Sequence, residues 1–370
     1  MTVSEVKANI WRNAASNYVC LGLRLVLGLI MFRFLYRTLS AEEFGFWALL
    51  WSVFGYGVLM DFGFGFTAQK RVAELSARQE WGKLSEVLST ILFTYVFVGL
   101  AIAVAGTIAS GWMVRALHVS RENQEGFQGI LVLFFAGLGL AYPLGLFPEM
   151  LRGQQRIALG NLIFSGGMLA NFSLSVTAIH FGWGLKALIL IALLCTFIPD
   201  LICGVFAISQ LRGVEIRPRH FSRGMVRQTM SFSVFAYVTT LSNVILAKTD
   251  QLVLSAVLGV AAVALYQAGA KVAEMFVGIS QQLPDTFSPA AAHLHAKGDR
   301  LELRALLING TRFTVMLATP VYLVSAFYMK EWIRLLTGEC PATTFWVGQV
   351  LLLWSYTTVV TRGCAPSAST

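Results

Sequence analysis

Long apolar runs separated by short polar segments dominate this chain. Each run holds about 20 residues, which is the length that a helix rising 1.5 Å per residue needs to cross a hydrocarbon core of about 30 Å. The pattern predicts about ten transmembrane helices and no linker long enough to set off a soluble domain. The predicted spans are 13–35, 44–66, 85–110, 129–148, 158–180, 185–208, 229–257, 263–287, 305–328 and 344–361.

Composition and charge placement agree with a membrane protein. The chain is 56% hydrophobic and only 13% charged, whereas a soluble domain carries about 25% charged residues. With the N-terminus inside, seventeen Lys and Arg residues fall in cytoplasmic segments and six in outer loops. This asymmetry predicts that both termini are cytoplasmic. The net charge of +9 is therefore a topology signal, and no nucleic-acid partner is expected.

The second half of the chain repeats the first at an offset of 219 residues. In a predicted cytoplasmic loop, residues 73–78 (AELSAR) align with residues 292–297 (AHLHAK). Other matching pairs are Tyr18 with Tyr237, Trp47 with Tyr266, Arg115 with Arg334, and Gly129 with Gly348. Six helices in the first copy make the two copies parallel, as in transporters built from parallel repeats.

The repeat divides the chain into unequal parts. We predict an N-terminal lobe of six helices at 1–208, a cytoplasmic basic linker at 209–228, and an incomplete C-terminal lobe of about four helices at 229–370. A complete second copy would end near residue 427, so about two helices are expected to be missing. A naturally shortened protein and an interrupted reading frame both fit this expectation.

Ordered motifs in both halves resemble polysaccharide-biosynthesis flippases of the Wzx type. The N-terminal resemblance lies in residues 39–49 (LSAEEFGFWAL), 56–65 (YGVLMDFGFG) and 70–74 (KRVAE). The second half shows related motifs at residues 248–259 (KTDQLVLSAVLG) and 265–271 (LYQAGAK), then Pro289 and residues 296–299 (AKGD). The resemblance covers most of residues 9–330.

The resemblance implies the multidrug/oligosaccharidyl-lipid/polysaccharide exporter superfamily, with two parallel-repeat lobes around a central cavity. Such proteins are thought to move an undecaprenyl-pyrophosphate-linked oligosaccharide across the bacterial cytoplasmic membrane for surface polysaccharide synthesis, as of O-antigen or exopolysaccharide. The implied partners are that lipid-linked oligosaccharide, membrane lipids, and the polysaccharide polymerase and chain-length proteins.

Charged residues inside the spans identify candidate sites, because a mid-membrane charge costs at least about 2.5 kcal/mol and faces a cavity or a partner. Arg24 lies near the centre of the first span, and Asn17 shares its helix face. A guanidinium there can bind a pyrophosphate bidentately. The alternative is an Arg neutralised by a structural carboxylate.

Lys248 lies deep in the seventh span, and its neighbour Asp250 points to a different face. Lys271 and Glu274 are three residues apart and can meet on one helix face with Gln267. Arg24, Lys248, Lys271, Asn17 and Gln267 are therefore the predicted substrate-binding residues. Lys271 and Glu274 can equally form a structural ion pair.

Carboxylates are the candidates for ion coupling. Asp61 lies near the cytoplasmic end of the second span and is followed by Gly63 and Gly65. A helix cap or close packing explains it as well as a proton or Na⁺ site does. With Asp250 and Glu274, it completes the predicted coupling set for H⁺ or Na⁺, and no other cofactor or metal is expected.

Three functions compete. A flippase for an anionic lipid-linked sugar requires cations at the midplane, which the predicted binding residues supply. A cation-coupled multidrug exporter of the MATE type requires unpaired carboxylates. A membrane glycan ligase or polymerase places catalytic groups in a large outer loop, and the longest one here, near 111–128, offers few. The sign of the charges favours the flippase, and we do not expect an enzyme.

Overall fold

In the computed structural model, residues 3–57, 61–211, 213–280 and 300–362 are described. Every regular element in these ranges is a helix. They are α1 (Val3–Thr38), α2 (Ala41–Gly57), α3 (Phe64–Ala77), α4 (Trp81–Ala116), α5 (Gln124–Gly153), α6 (Ile157–His180), α7 (Gly184–Gln210), a 3₁₀ turn (Pro218–His220), α8 (Arg223–Leu258), α9 (Val260–Ser280), α10 (Arg300–Phe327), α11 (Met329–Thr337) and α12 (Ala342–Arg362).

Each predicted span overlaps a helix. Within the described ranges, seven helical segments are long and apolar enough to cross a membrane. They are Ala15–Thr38, Trp81–Ala116, Gln124–Gly153, Ile157–His180, Gly184–Gln210, Val260–Val277 and Leu301–Phe327. The remaining predicted spans correspond to α2, α8 and α12, which are shorter or more polar.

The second predicted span, 44–66, is wrong as a single helix. α2 ends at Gly57, and α3 begins at Phe64 as a separate helix. Between them, Phe62 and Gly63 have φ values of 48° and 78°, which lie in the left-handed region that a continuing helix does not use. The predicted end of the eighth span, at 287, falls outside the described residues.

The chain divides into two compact units. Unit 1 comprises residues 1–31 and 49–260, and unit 2 comprises residues 32–48 and 261–370. The ends of α1 and α2 that flank residues 39–40 thus belong to unit 2, whereas α8 belongs to unit 1. The lobe boundaries expected from the repeat stay a prediction.

The core of unit 1 forms where α3, α4, α5 and α7 meet. Apolar positions of α3 at spacings of four and three residues, Phe64, Ala68, Val72 and Leu75, form one buried face. Leu88 of α4 and Met150 of α5 are also fully buried in this cluster. The short helix α3 is therefore packed against the ends of the longer helices.

Two glycines bring α4 and α5 into backbone contact. A Cβ placed on Gly99 would lie 2.1 Å from the carbonyl oxygen of Gly139. Small residues permit such approaches between membrane helices, where packing replaces the hydrophobic effect as the main driving force. This contact also fixes Tyr95 and Tyr142, which lie four residues before Gly99 and three residues after Gly139.

The segment between α7 and α8 is anchored by buried hydroxyls of α4. The backbone N–H of Glu215 donates to Ser85 Oγ at 2.9 Å, and that of Arg217 donates to Ser89 Oγ at 3.1 Å. The N–H of Ser222 donates to Thr90 Oγ1 at 3.0 Å. These bonds satisfy backbone donors that have no helical partner, so residues 215–222 of the predicted basic linker follow a defined path.

Unit 2 packs around aromatic side chains. Phe276 of α9 lies against Tyr322 of α10 and Trp332 of α11, with ring centroids 6.2 and 5.9 Å apart. Tyr322 in turn contacts Tyr356 of α12. α9 and α12 approach closely at Gly269, where a Cβ would lie 2.8 Å from the carbonyl oxygen of Thr344.

The helix boundaries support the internal repeat. Shifted by 219 residues, the last residue of α1 falls within one residue of the last residue of α8. The first residues of α2, α4 and α5, shifted likewise, fall within one residue of the first residues of α9, α10 and α12. These four helix boundaries therefore recur in the second half of the chain at the offset of the repeat.

Candidate functional site

A cavity of about 420 Å³ lies inside unit 1. Its walls come from α2, the turn before α3, α3, α4 and α5, and they combine carboxylates, aromatic rings and glycines. The lining residues are Phe54, Gly57, Asp61, Gly65, Phe66, Gln69, Tyr95, Leu138, Ala141, Tyr142, Gly145 and Glu149.

Two hydrogen bonds hold the Asp61 carboxylate in place. Its Oδ1 accepts a hydrogen bond from the Tyr95 hydroxyl and another, at 3.1 Å, from the backbone N–H of Gly65. The second bond ties Asp61 to the first turn of α3, where the helix dipole stabilises a negative charge. In the described parts of the chain, its other oxygen, Oδ2, has no hydrogen-bond partner.

Tyr142 completes the polar wall. Its hydroxyl donates to the backbone carbonyl of Gly57, which is the last residue of α2. The Tyr95 and Tyr142 rings pack edge to face with centroids 6.2 Å apart. Tyr95 is only 3% exposed, so its hydroxyl is fixed where it meets Asp61.

Glu149 faces Asp61 across Gly65. A Cβ placed on Gly65 would lie 3.3 Å from Asp61 Oδ1 and 3.4 Å from Glu149 Cγ. The absence of a side chain at Gly65 therefore lets Asp61 and the stem of Glu149 pack closely against the first turn of α3. Glu149 Oε1 accepts a hydrogen bond and ion pair from Arg152 Nη1 at 2.6 Å.

Arg24 occupies a distinctive place on α1. It lies near the middle of the apolar segment Ala15–Thr38 and is exposed. Val26, two residues on and about 160° around the helix, is 55% exposed and belongs to the apolar face. Cys20, one turn before Arg24 on the same face, is 7% exposed. No ion pair or hydrogen bond is found for Arg24 within the described residues.

Asn17 and Lys248 both have neighbours within unit 1. Asn161 of α6 donates to Asn17 Oδ1 at 2.5 Å, so Asn17 takes part in packing α1 against α6. The stem of Lys248 lies over Gly55, where an added Cβ would be 3.4 Å from Lys248 Cγ and Cε. No hydrogen bond or ion pair among the described residues joins Arg24 to Lys248.

Neighbouring polar bonds hold α8 against α2. Ser52 donates to Gln251, and the hydroxyls of Tyr56 and Thr249 are 2.6 Å apart. Asp250, between the two α8 residues of these pairs, is exposed. Lys248, Thr249 and Gln251 of α8 thus lie by α2, whereas Asp250 lies on the surface of unit 1.

The remaining predicted site residues lie in unit 2. Lys271 Nζ is 3.4 Å from Glu274 Oε2, so the ion pair expected from their spacing is present. The same ammonium lies 5.9 Å from the centroid of the Phe32 ring, within cation–π range. Gln267, one turn before Lys271, is 9% exposed.

Unit 2 also contains a cavity of about 460 Å³ between α10 and α12. Its walls include Tyr322, Leu323, Trp346 and Leu353, and none of the described lining residues is charged. Its polar features include a hydroxyl pair between Thr319 and Tyr356 at 2.8 Å. This chemistry suits an apolar chain better than a phosphate.

The sequence analysis did not identify Glu149 as a site residue. Glu149 lies at the end of an apolar run and pairs with Arg152 at i and i+3, as many surface charges do. Its approach to Asp61 depends on α3 packing against α5. The glycines at 65 and 145 were the available signal, since small residues mark places where groups approach closely.

The polysaccharide biosynthesis protein family matches residues 10–281 of this chain. The chain belongs to this family. The match covers well over half of the protein and includes all of unit 1 after residue 9. The chain is accordingly a membrane transporter of the polysaccharide biosynthesis type and not an enzyme. Among curated proteins, no match was found.

Solved structures of the MOP superfamily have a similar fold. One is the inward-facing conformation of a multidrug resistance MATE family transporter, with a TM-score of 0.72 and 15% identity over 92% of this chain and 81% of that chain. Another is the inward closed conformation of the lipid II flippase MurJ, with a TM-score of 0.71 and 12% identity over 95% and 73%. An outward-facing MATE structure has a TM-score of 0.65 and 16% identity over 96% and 82%.

At these identities the likeness shows the fold alone. The protein is an all-α, multi-pass membrane helix bundle that resembles both MATE and MurJ transporters. It shares this fold with a multidrug transporter and a lipid flippase, so the fold does not select the substrate. The selection has to come from the chemistry of particular side chains.

Proposed function

We propose that this family member is a flippase that moves an undecaprenyl-pyrophosphate-linked oligosaccharide across the bacterial cytoplasmic membrane for surface polysaccharide synthesis. The substrate carries a pyrophosphate, and recognition of it requires a cation that is not already neutralised. Both termini would be cytoplasmic, as the distribution of Lys and Arg predicts.

The proposal rests mainly on the position of Arg24 and on its lack of an ion pair within the described residues. Arg24 lies mid-span, on the opposite face of α1 from the apolar residue Val26, and has no ion pair within the described residues. An Arg at this depth costs free energy, so its presence there indicates a functional role. Its planar guanidinium can donate two parallel hydrogen bonds to phosphate oxygens, which favours an anionic substrate over a cationic drug.

The other predicted binding residues would add charges and hydrogen-bonding groups to the substrate site. Lys248 is a second cation within a predicted span of unit 1, and Lys271 in unit 2 is partly neutralised by Glu274. Asn17 and Gln267 are hydrogen-bonding groups on the same helix faces as Arg24 and Lys271. Alternating access would expose this set first to the cytoplasm and then to the outside, with H⁺ or Na⁺ entry through carboxylates such as Asp61, Asp250 and Glu274 as the driving step.

Complementation tests the proposal. The chain is expressed in a strain that lacks its own oligosaccharide flippase, and surface polysaccharide is measured. Arg24→Ala should abolish complementation, and Arg24→Lys should restore little of it, because an ammonium does not replace bidentate pairing. Arg33→Ala removes an equal charge nearer the end of α1 and is the matched control.

Full surface polysaccharide in the Arg24→Ala strain, at wild-type protein levels, would overturn the role of Arg24. Failure of the wild-type chain with every lipid-linked oligosaccharide tested would overturn the flippase function itself.

An exporter of cationic drugs is the second candidate, because the cavity in unit 1 is lined by Asp61, Glu149 and aromatic rings. Carboxylates and aromatic faces together bind organic cations. This candidate predicts that expression raises resistance to cationic dyes and that Asp61→Asn removes the resistance. Unchanged susceptibility together with restored polysaccharide would reject it.

A further inference from the structure

We infer that the cavity between α10 and α12 of unit 2, here called the groove, is a binding site for an anionic phospholipid. One acyl chain would lie in the groove, and the phosphate would bind Lys330 and Arg334 of α11. The ligand is a lipid of the surrounding membrane, so the inference does not depend on what the protein transports.

The groove is apolar and open at the surface of unit 2. Its volume of about 460 Å³ falls within the range of about 300–1,000 Å³ that ligand pockets occupy. Four apolar residues of its lining are 64–66% exposed, namely Leu323, Trp346, Val350 and Leu353. A hydrocarbon chain can therefore enter the groove sideways from the membrane.

Two polar bridges hold α10 and α12 apart along the groove. Gln349 Nε2 donates to the carbonyl oxygen of Ala326 at 2.7 Å. The Thr319 hydroxyl donates to the carbonyl oxygen of Val315 at 2.7 Å and lies 2.8 Å from the hydroxyl of Tyr356. The bridges are seven residues apart on each helix, or about 10.5 Å at 1.5 Å per residue. Side chains rather than backbones thus join the helices, and this leaves room between the bridges for a chain of methylene groups.

The amphipathic helix α11 lies at one end of the groove. Its buried face includes Met329, which packs at Gly348 of α12, where a Cβ would lie 2.8 Å from the Met329 sulfur. Its exposed face carries Lys330 and Arg334. Helices with basic residues on their polar face lie at the membrane–water boundary, and the exposed Trp346 near the start of α12 is a residue type enriched there. A lipid in the groove would therefore have its headgroup at the level of α11.

Lys330 and Arg334 form a cationic face without a neutralising partner. They are four residues apart, so they share one side of α11, and neither has an ion pair within the described residues. Both lie within electrostatic range of Cys340, in the turn that leads into α12. The helix dipole favours Arg334 in the last turn of α11 but disfavours Lys330 in its first turn. The position of Lys330 therefore requires another source of stabilisation, which an anionic headgroup supplies.

The charges around this end of α11 sum to a positive value. A third cation, Arg37, packs at the end of the helix, where a Cβ on Gly338 would lie 3.5 Å from Arg37 Nη2. The acids of α11 and the turn after it are Glu331 and Glu339, and both are exposed. Three cations and two acids leave a net charge of +1, which favours an anionic lipid over a zwitterionic one.

Ordinary contact with the membrane does not account for this arrangement. Two lipid-facing helices can pack closely, as α4 and α5 do at Gly99 and Gly139, and no groove is then present. Contact with hydrocarbon also leaves Lys330 unexplained, because it supplies no charge to offset the helix dipole.

Fluorescence quenching by lipids with brominated acyl chains tests the inference. The full-length chain is reconstituted in phosphatidylcholine bilayers, and brominated phosphatidylglycerol or brominated phosphatidylcholine replaces the host lipid in steps. The signal of Trp346, which lines the groove, is the difference between the wild-type chain and Trp346→Phe. Brominated phosphatidylglycerol should reach half-maximal quenching at a mole fraction at least about fivefold lower than brominated phosphatidylcholine.

A pair of double variants tests the headgroup site. Lys330→Gln with Arg334→Gln should bring the half-maximal mole fractions of the two lipids within about twofold of each other. Arg121→Gln with Lys186→Gln removes two exposed cations of unit 1 and is the matched control. The control should keep the preference for phosphatidylglycerol.

A pair of single variants tests the groove. Val350 and Val205 are 64% and 70% exposed, but of the two only Val350 lines the groove. Val350→Phe should raise the half-maximal mole fraction of brominated phosphatidylglycerol at least about fivefold, because the larger side chain occupies the space of the acyl chain. Val205→Phe should leave that mole fraction within about twofold of the wild-type value.

Equal half-maximal mole fractions of the two lipids for the wild-type chain would overturn the inference. So would an undiminished preference in the α11 double variant, or wild-type binding by Val350→Phe. Relief of quenching by undecaprenyl phosphate at a lower mole fraction than by unbrominated phosphatidylglycerol would assign the groove to a prenyl chain and overturn the inference as well. If the double variant aggregates on size-exclusion chromatography, the pair at Val350 and Val205 still decides the outcome.

Discussion

Replacing Gly99 by Ala should loosen the α4–α5 contact on which the cavity of unit 1 depends. The added Cβ would lie 2.1 Å from the carbonyl oxygen of Gly139 and 3.0 Å from its carbonyl carbon. The obstacle is backbone, which cannot rotate away as a side chain can. α4 and α5 must therefore separate by about 1 Å before ordinary van der Waals contact is restored.

The free-energy cost follows from two opposing terms. Overpacking a well-packed interior costs about 1–3 kcal/mol, and the upper half of that range applies where two helix backbones must move. Replacing Gly by Ala within a helix recovers about 1 kcal/mol. The expected net loss of stability is therefore about 1–2 kcal/mol, with a decrease in Tm of several degrees.

Thermal unfolding of the purified protein in detergent measures this loss. Gly129→Ala is the matched control, because Gly129 lies on α5, the partner helix in this contact, and a Cβ there meets nothing within 4 Å. Gly129→Ala should leave Tm unchanged or raise it slightly. Equal Tm values for Gly99→Ala and Gly129→Ala would refute the close contact.

Two further substitutions test how unit 1 is held together. Ser89→Ala removes the acceptor of the Arg217 N–H at 3.1 Å, so trypsin should cut the intact protein after the neighbouring Arg219 faster than in the wild type. An unchanged cleavage rate would show that this bond does not anchor the segment. Asn161→Ala removes the bond to Asn17 at 2.5 Å and should lower the free energy of unfolding by about 1 kcal/mol, as measured by thermal unfolding. The control, Leu162→Ala, changes a residue that is 70% exposed and should cost less. Equal losses would contradict a polar contact between α1 and α6.

The helices themselves were largely predictable. A long apolar run in lipid has to satisfy its backbone hydrogen bonds internally, and a helix is the local way to do so. The break in the second span was not predictable by this reasoning, because the apolar character continues through Phe62, Phe64 and Phe66. Hydropathy records where a chain prefers lipid, but it does not record where Phe62 and Gly63 adopt left-handed φ values.

Some candidate site residues could likewise be predicted from the sequence, and others could not. Arg24, Asp61 and Lys248 were identified because charge is rare within an apolar run, and rarity can be read along the chain. The pairing of Lys271 with Glu274 followed from helical spacing. Glu149 was not identified, because its relation to Asp61 spans 88 positions of sequence and exists only when α3 packs against α5.

The sequence by itself thus determined the class of the protein, the approximate positions of most spans, and the charges that require an explanation, because those properties depend on local composition and spacing. Tertiary structure alone decided that Asn17 bonds to α6, that Lys248 lies over Gly55, and that the side chains of Asp61 and Glu149 both approach Gly65. These contacts depend on which helix faces approach one another. That choice is made by packing among many distant residues, and no single stretch of sequence contains it.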